Sequence, residues 1–201
     1  MTEANCNIAL HVCGQSAAQN LASIINGNIC TKSSVIDILT RELPIHLFQR
    51  IQINGNKKSL KYNLFSDKLK YNFPFNQTKF IFQTNHEGIT EEEKECLFDT
   101  NVNIQFLVDE SGGKGKELSL PDTYSDTNKE ALMLFRNSGR FGYAGGIGYD
   151  NVNKVVNELE NIVNAEYWID MESNIRNESD QFDVSKCANV LEEVVLALNN
   201  K

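Results

Sequence analysis

The stretch 141–170, FGYAGGIGYDNVNKVVNELENIVNAEYWID, decides how the chain is read. It opens on a short apolar run, Phe141–Ala144, that stops at Gly145-Gly146. Val152, Val155, Val156, Leu159 and Ile162 then recur at the three-and-four spacing of one helical face. A second short run, Tyr167-Trp168-Ile169, stops at Asp170. Strand, helix and strand in about 30 residues is the length of a βαβ unit, whose two strands run parallel.

The same alternation repeats on either side. Ile104–Val108 is a compact apolar run closed by Asp109 and then by Ser111-Gly112-Gly113-Lys114-Gly115. Asn128–Arg136 has helical spacing, with Ala131, Leu132 and Leu134 turned inward. Lys79–Gln83 ends at Thr84-Asn85-His86, and Thr90 with Glu91, Glu92 and Glu93 forms a capping box opening a helix toward Leu97. Arg50–Asn54 is broken by Gly55, and residues 7–13 end at Gly14. Helical spacing follows over Gln15–Ile25, and Ser33 caps a second helix over Val35–Leu43 that stops near Pro44. At the other end, Val184, Ala188, Leu191, Val195 and Leu198 predict a last helix with Asp183 as its cap.

Six strands are therefore expected, starting near residues 7, 50, 79, 104, 141 and 167. Short, almost uninterrupted apolar runs suit strands covered by helices on both faces. The class is α/β in one domain, 1–201, and two architectures fit. One is a TIM-type (β/α) barrel, incomplete with about six parallel strands; the other is an open doubly wound sheet. Polar and glycine residues at the strand ends favour the barrel, because barrel enzymes draw their sites from that edge.

Composition narrows the function. The chain has 201 residues, 41% of them hydrophobic, which is enough for a sizeable core. Nineteen basic against 27 acidic residues give a formal charge of −8, which repels nucleic-acid phosphates. The densest basic group, Lys57-Lys58 with Lys61, reads as a solvated loop and helix start. No apolar stretch approaches the roughly 20 residues needed to span a bilayer, and residues 2–5 do not look like a signal peptide. Cys6, Cys13, Cys30, Cys96 and Cys187 are scattered and odd in number, without a C-x-x-C pair. A reducing, cytoplasmic setting is expected, with no metal and no cofactor.

Candidate chemistry gathers at the strand ends. Gly145 and Gly146 let a backbone approach a ligand, and N–H groups there, with the next helix N-terminus, would cradle a phosphate. A tight strand-to-helix turn without a ligand explains the same pair. Gly112, Gly113 and Gly115 form a second glycine loop, but neither a Walker pattern nor G-x-G-x-x-G after a strand occurs. Asp109 brings a carboxylate to the rim, either as a general acid or as a turn cap. Asp170 has the same placement and also suits anchoring the following loop. Arg176 suits an anion or the surface. His11 and Cys13 lie near the end of the first run, where Cys13 is either an activated thiol or an inert buried one. His86 lies just past the third run.

At these positions a family resemblance becomes specific. Tyr143-Ala144-Gly145-Gly146-Ile147 followed by Asn151-Val152 resembles the seventh-strand segment of phosphoribosylanthranilate isomerases. Trp168-Ile169-Asp170-Met171-Glu172-Ser173-Asn174-Ile175 resembles their eighth, and Phe106-Leu107-Val108-Asp109 with the glycine loop resembles their sixth. Ile51-Gln52-Ile53-Asn54-Gly55 resembles the fourth, with Asn54 where a histidine is usual. The similarity is strongest over residues 104–195 and weaker over 50–100.

The resemblance implies a (β/α) barrel catalysing an Amadori rearrangement in tryptophan biosynthesis, without a cofactor. It gives Asp109 the general-acid role and the phosphate to Gly145, Gly146, Ser173 and Asn174. The family's cysteine base corresponds to Cys13 if Val12-Cys13-Gly14 is the first strand end. The distance from there to Ile51 is short for two more strands, so Val12-Cys13 also suits the third strand of a barrel lacking its first two. Such a barrel would expose sheet edges, which a homodimer would cover. Glu172 and Asn174 stand where serine and glycine are usual, so Glu172 must be turned away or paired, and Asn174 is a type that tolerates the left-handed conformation. Two further readings remain beside the isomerase: a relative acting on another small phosphorylated or polar metabolite, and an inactive truncated fragment.

Overall fold

A computed structural model describes residues 9–14, 17, 21, 48–54, 78–84, 103–109, 118, 137 and 139–199. Their strands are β1 (Ala9–Cys13), β2 (Arg50–Asn54), β3 (Lys79–Thr84), β4 (Ile104–Asp109), β5 (Phe141–Ala144) and β6 (Tyr167–Ile169). Two helices, α1 (Val152–Ile162) and α2 (Val184–Asn199), and a 3-10 turn at Ser173–Ile175 complete the described elements. The strands begin where the apolar runs predict; residues 7 and 8 of the first run lie outside the described residues.

The strands form one six-stranded sheet in the order β1-β2-β3-β4-β5-β6. The pairings β1–β2, β2–β3, β4–β5 and β5–β6 are parallel. A doubly wound sheet reverses its order part-way, whereas this order follows the sequence, as a (β/α) barrel does. The α/β topology is consistent with an incomplete barrel, and the doubly wound alternative falls. Two compact units divide the chain, with the boundary inside β4. One comprises Met1–Gln83 and Thr90–Gln105, the other Thr84–Ile89 and Phe106–Lys201.

In the first unit, register pairs Val12 with Ile53, Ile51 with Phe80, and Ile53 with Phe82. All five side chains are buried, so one sheet face is an aliphatic and aromatic layer. Side chains alternate along a strand, and the opposite face therefore carries His11 and Cys13 of β1 with Gln52 and Asn54 of β2. Ala17 and Leu21 are helical, and Leu21 is fully buried. The rest of the helix expected over Gln15–Ile25 lies outside the described residues. So do the helix over Val35–Leu43, the capping box at Thr90–Glu93, and the helix over Asn128–Arg136.

In the second unit, Phe106 and Phe141 stack with centroids 5.9 Å apart, and Tyr143 meets Tyr167 edge-on. Helix α1 covers this face with Val152, Val155, Val156 and Leu159, the stripe its periodicity predicts. Each such burial contributes about 1.5–3 kcal/mol. Helix α2 departs from expectation. Its buried residues are Val190 and Ala197, with Cys187 and Val194 half-buried on the same side. The expected stripe faces solvent instead: Val184, Leu191, Val195 and Leu198 are exposed, as is Ala188. Both stripes have helical spacing, so periodicity alone does not choose between them. The cap is as expected: Asp183 Oδ1 accepts the N–H groups of Ser185 and Lys186 at 2.9 and 3.1 Å.

Candidate functional site

The strand ends of the second unit bring several of the expected residues together. In register, Asp109 lies opposite Ala144, and Gly142 opposite Trp168. Asp170, next after β6, donates its N–H to the Tyr143 carbonyl at 2.9 Å, which continues that register. The phenol of Tyr167 donates to Glu160 of α1 at 2.9 Å, so Tyr167, Ile169, Phe141 and Tyr143 face the helix. Alternation then puts Leu107, Asp109, Gly142, Ala144, Trp168 and Asp170 on the other face. Asp109 and Asp170 thus flank the small Ala144 across three strand ends, roughly 10 Å apart at the backbone by ordinary strand spacing.

The row beneath is Leu107, Gly142 and Trp168. A Cβ on Gly142 would fall 2.1 Å from Trp168 Cε2, so glycine is what lets the indole lie across β5. The same tyrosine pair on the helix side has its own electrostatics. Burial first, and then the hydrogen bond and charge of Glu160, push the Tyr167 phenol well above the usual tyrosine range.

The turn after β5 is built on two glycines at positive φ, Gly145 at +123° and Gly146 at +56°. Its carbonyls are held from three directions. Leu118 N–H donates to the Gly145 oxygen at 2.9 Å. Asn151 Nδ2 and Asn174 Nδ2 donate to the Gly146 oxygen at 3.0 and 2.7 Å. Asn151 Oδ1 also accepts the Gly148 N–H at 2.8 Å. With its side chain committed to the turn, Asn151 stands at the start of α1 without capping it. The Val152 N–H is taken by the Gly148 carbonyl at 2.9 Å and that of Val155 by the Asn151 carbonyl at 3.0 Å, while the N–H groups of Asn153 and Lys154 between them make no bond to the Asn151 side chain.

A cavity of about 490 Å³ opens beside this turn, lined by Gly148, Asn151, Ser173, Asn174, Lys186 and Asn189 among others. Its size is within the usual range for a small-molecule site. Ser173, Asn174 and Asn189 offer polar groups, and Lys186 offers an ammonium, one of whose donors goes to the Arg176 carbonyl at 2.7 Å. Lys186 and Asn189 belong to the first turns of α2 and carried no motif in the sequence. Only the packing of α2 beside the 3-10 turn reveals them.

Other expected residues have different fates. Asn174 does not take the left-handed conformation. It sits in the 3-10 turn and binds Gly146 through its side chain, while Asp180 is the described non-glycine residue at positive φ. The charge of Glu172 is paired: Arg176 donates to it at 2.9 Å and to Asp180 at 3.3 Å. Arg176 thus braces the loop after β6 between two carboxylates. Cys13 and His11 belong to the first unit, where Cys13 is exposed and its Sγ lies 3.2 Å from His11 Nε2. Gly112, Gly113, Gly115 and His86 lie outside the described residues. No group of three or more metal-ligating side chains occurs among the described residues, and none of their helices is long and apolar enough to cross a membrane.

Sheet order makes this an α/β protein with a six-stranded parallel sheet, consistent with an incomplete (β/α) barrel, and with a candidate small-molecule site after β5. No known protein family, curated protein or solved structure matches the chain.

Proposed function

We propose that the second unit binds a small phosphorylated metabolite at the turn after β5, and that the protein is a phosphosugar isomerase. One observation carries this reading: the Gly145-Gly146 turn, the uncapped start of α1, and Ser173 with Asn174 meet beside a cavity containing Lys186. Backbone donors at a helix start, an ammonium and a hydroxyl are the groups that hold a phosphate. Asp109, one strand away and level with Ala144, would serve as the general acid that protonates a sugar ring oxygen as the ring opens. Asp170 would flank the substrate on the far side of Ala144. The resemblance to phosphoribosylanthranilate isomerases makes N-(5-phosphoribosyl)anthranilate the first substrate to try.

The test has two arms. Titration with inorganic phosphate, followed by amide NMR shifts, is expected to move Gly146, Ile147 and the start of α1. Turnover of N-(5-phosphoribosyl)anthranilate is expected for the wild type and is expected to fall by about 10²-fold or more in Asp109→Asn. Phosphate binding without turnover would reject the isomerase and keep a phosphometabolite site. Absence of both would reject the reading altogether.

A further inference from the structure

The polar face of the first unit supports a separate chemistry. His11 and Cys13 are two residues apart on β1 and so project from the same face, where Cys13 Sγ lies 3.2 Å from His11 Nε2. Gln52, opposite His11 in register, brings its amide Nε2 to 3.5 Å from the same ring nitrogen. With the Cys13 thiol donating, His11 Nε2 is the acceptor and the proton of the neutral ring is on Nδ1, the tautomer in which the Gln52 amide N–H also points at a lone pair. An imidazole lone pair directed at a thiol is the arrangement that activates a cysteine nucleophile.

Beside the thiol, Asn54 is the register partner of Cys13. Its Oδ1 is buried and has no hydrogen-bond partner. A buried acceptor without a donor is rare in folded proteins and marks a place where a ligand's O–H or N–H is wanted.

We propose that Cys13 and His11 form a thiol–imidazole nucleophile that adds to the carbonyl carbon of a small hydroxyaldehyde. The thiol proton passes to His11 Nε2 as the sulfur–carbon bond forms. The carbonyl π pair moves to oxygen, which then takes that proton back from His11, leaving a hemithioacetal. A hydroxyl next to the carbonyl donates to Asn54 Oδ1. No oxidant, reductant or metal is consumed. This site lies wholly in the first unit, and it stands or falls independently of the phosphate reading.

Iodoacetamide is the first probe, with labelling of each cysteine resolved by peptide mass spectrometry. There the sulfur displaces iodide and His11 takes the proton. Cys13 is expected to react at least tenfold faster than N-acetylcysteine in the same tube, and His11→Gln to lose most of that advantage. A clear slowing in D2O, measured on the wild type, would report proton transfer during attack even if the variant failed to fold. Glyceraldehyde is expected to protect Cys13 from labelling at lower concentration than propanal, which lacks the hydroxyl groups. A free-thiol rate at Cys13, a rate indifferent to His11→Gln in a folded variant, or no isotope effect would overturn the nucleophile. Equal protection by the two aldehydes would overturn the hydroxyaldehyde as ligand.

Discussion

Replacing Gly142 by alanine tests the packing that orients the candidate site. Gly142 lies on β5 between β4 and β6, and a Cβ there would stand 2.1, 2.2 and 2.6 Å from Trp168 Cε2, Nε1 and Cζ2. Ordinary contact begins near 3.4 Å, so the indole must withdraw by 1.3 Å at its closest atom (3.4 − 2.1). Such overpacking costs about 1–3 kcal/mol. Alanine recovers about 0.5–1 kcal/mol of that, because glycine is the more costly residue to order in a strand. The net expectation is a loss of up to about 2.5 kcal/mol, which for a chain of this size lowers Tm by up to about 10 °C. Trp168 is the only tryptophan, so urea unfolding followed by its fluorescence reads both stability and the ring's surroundings. Pairing Gly142→Ala with Trp168→Ala in a double-mutant cycle should show coupling of about 1 kcal/mol, because the added methyl then enters vacated space. A Gly142→Ala protein of unchanged stability and unchanged emission would show that the indole does not lie on β5. It would also remove the argument that Trp168 shares a face with Asp109 and Asp170.

Tyr167 is expected to titrate late. Its raised phenol pKa means its contribution to stability is fully present below about pH 10, where an unfolded tyrosine titrates, and is lost as pH rises through the higher folded value. Phenolate absorbance should show a late step that Tyr167→Phe removes; completion of all six tyrosines near pH 10 in the folded protein would contradict it. Asp183→Ala should cost about 1 kcal/mol through the lost cap of α2, while Asp183→Asn stays close to wild type in chemical denaturation. The two faces of α2 separate in the same assay: Val190→Ala should cost about 1–3 kcal/mol and Leu191→Ala no more than about 0.5. The reverse order would mean that the helix packs through its other stripe.

That last pair marks a limit of reading the fold from sequence. Strand positions were legible because short apolar runs ended at Gly, Asp, Asn or Thr, where the chain turns. Helix α1 was legible because its polar residues leave only one apolar face. Helix α2 was misread because it is apolar on two faces: Val184, Ala188, Leu191, Val195 and Leu198 form one row, and Cys187, Val190, Val194 and Ala197 another. Larger side chains made the first row the obvious one. The smaller row is what α2 turns inward, with Val190 and Ala197 fully covered, and a pattern of types contains no term for how close two elements lie.

The site was legible to the same depth. Glycine pairs and strand-end aspartates announce themselves by type and position, so Gly145, Gly146, Asp109 and Asp170 are found where the runs end. What those residues need as neighbours is set by side chains distant in sequence. Asn174 reaches Gly146 across 28 positions, and Lys186 enters the cavity only because α2 begins beside the turn. The two residues whose types count most against a phosphate loop, Glu172 and Asn174, change meaning in three dimensions. Arg176 neutralises the first, and the second becomes a strut holding the Gly146 carbonyl. A carbonyl held by two amide side chains fixes the peptide plane, and with it the direction of the N–H on the following residue, Ile147. An anion site made of backbone donors depends on that direction. Asn174 is therefore better understood as setting the turn's geometry than as contributing a ligand of its own.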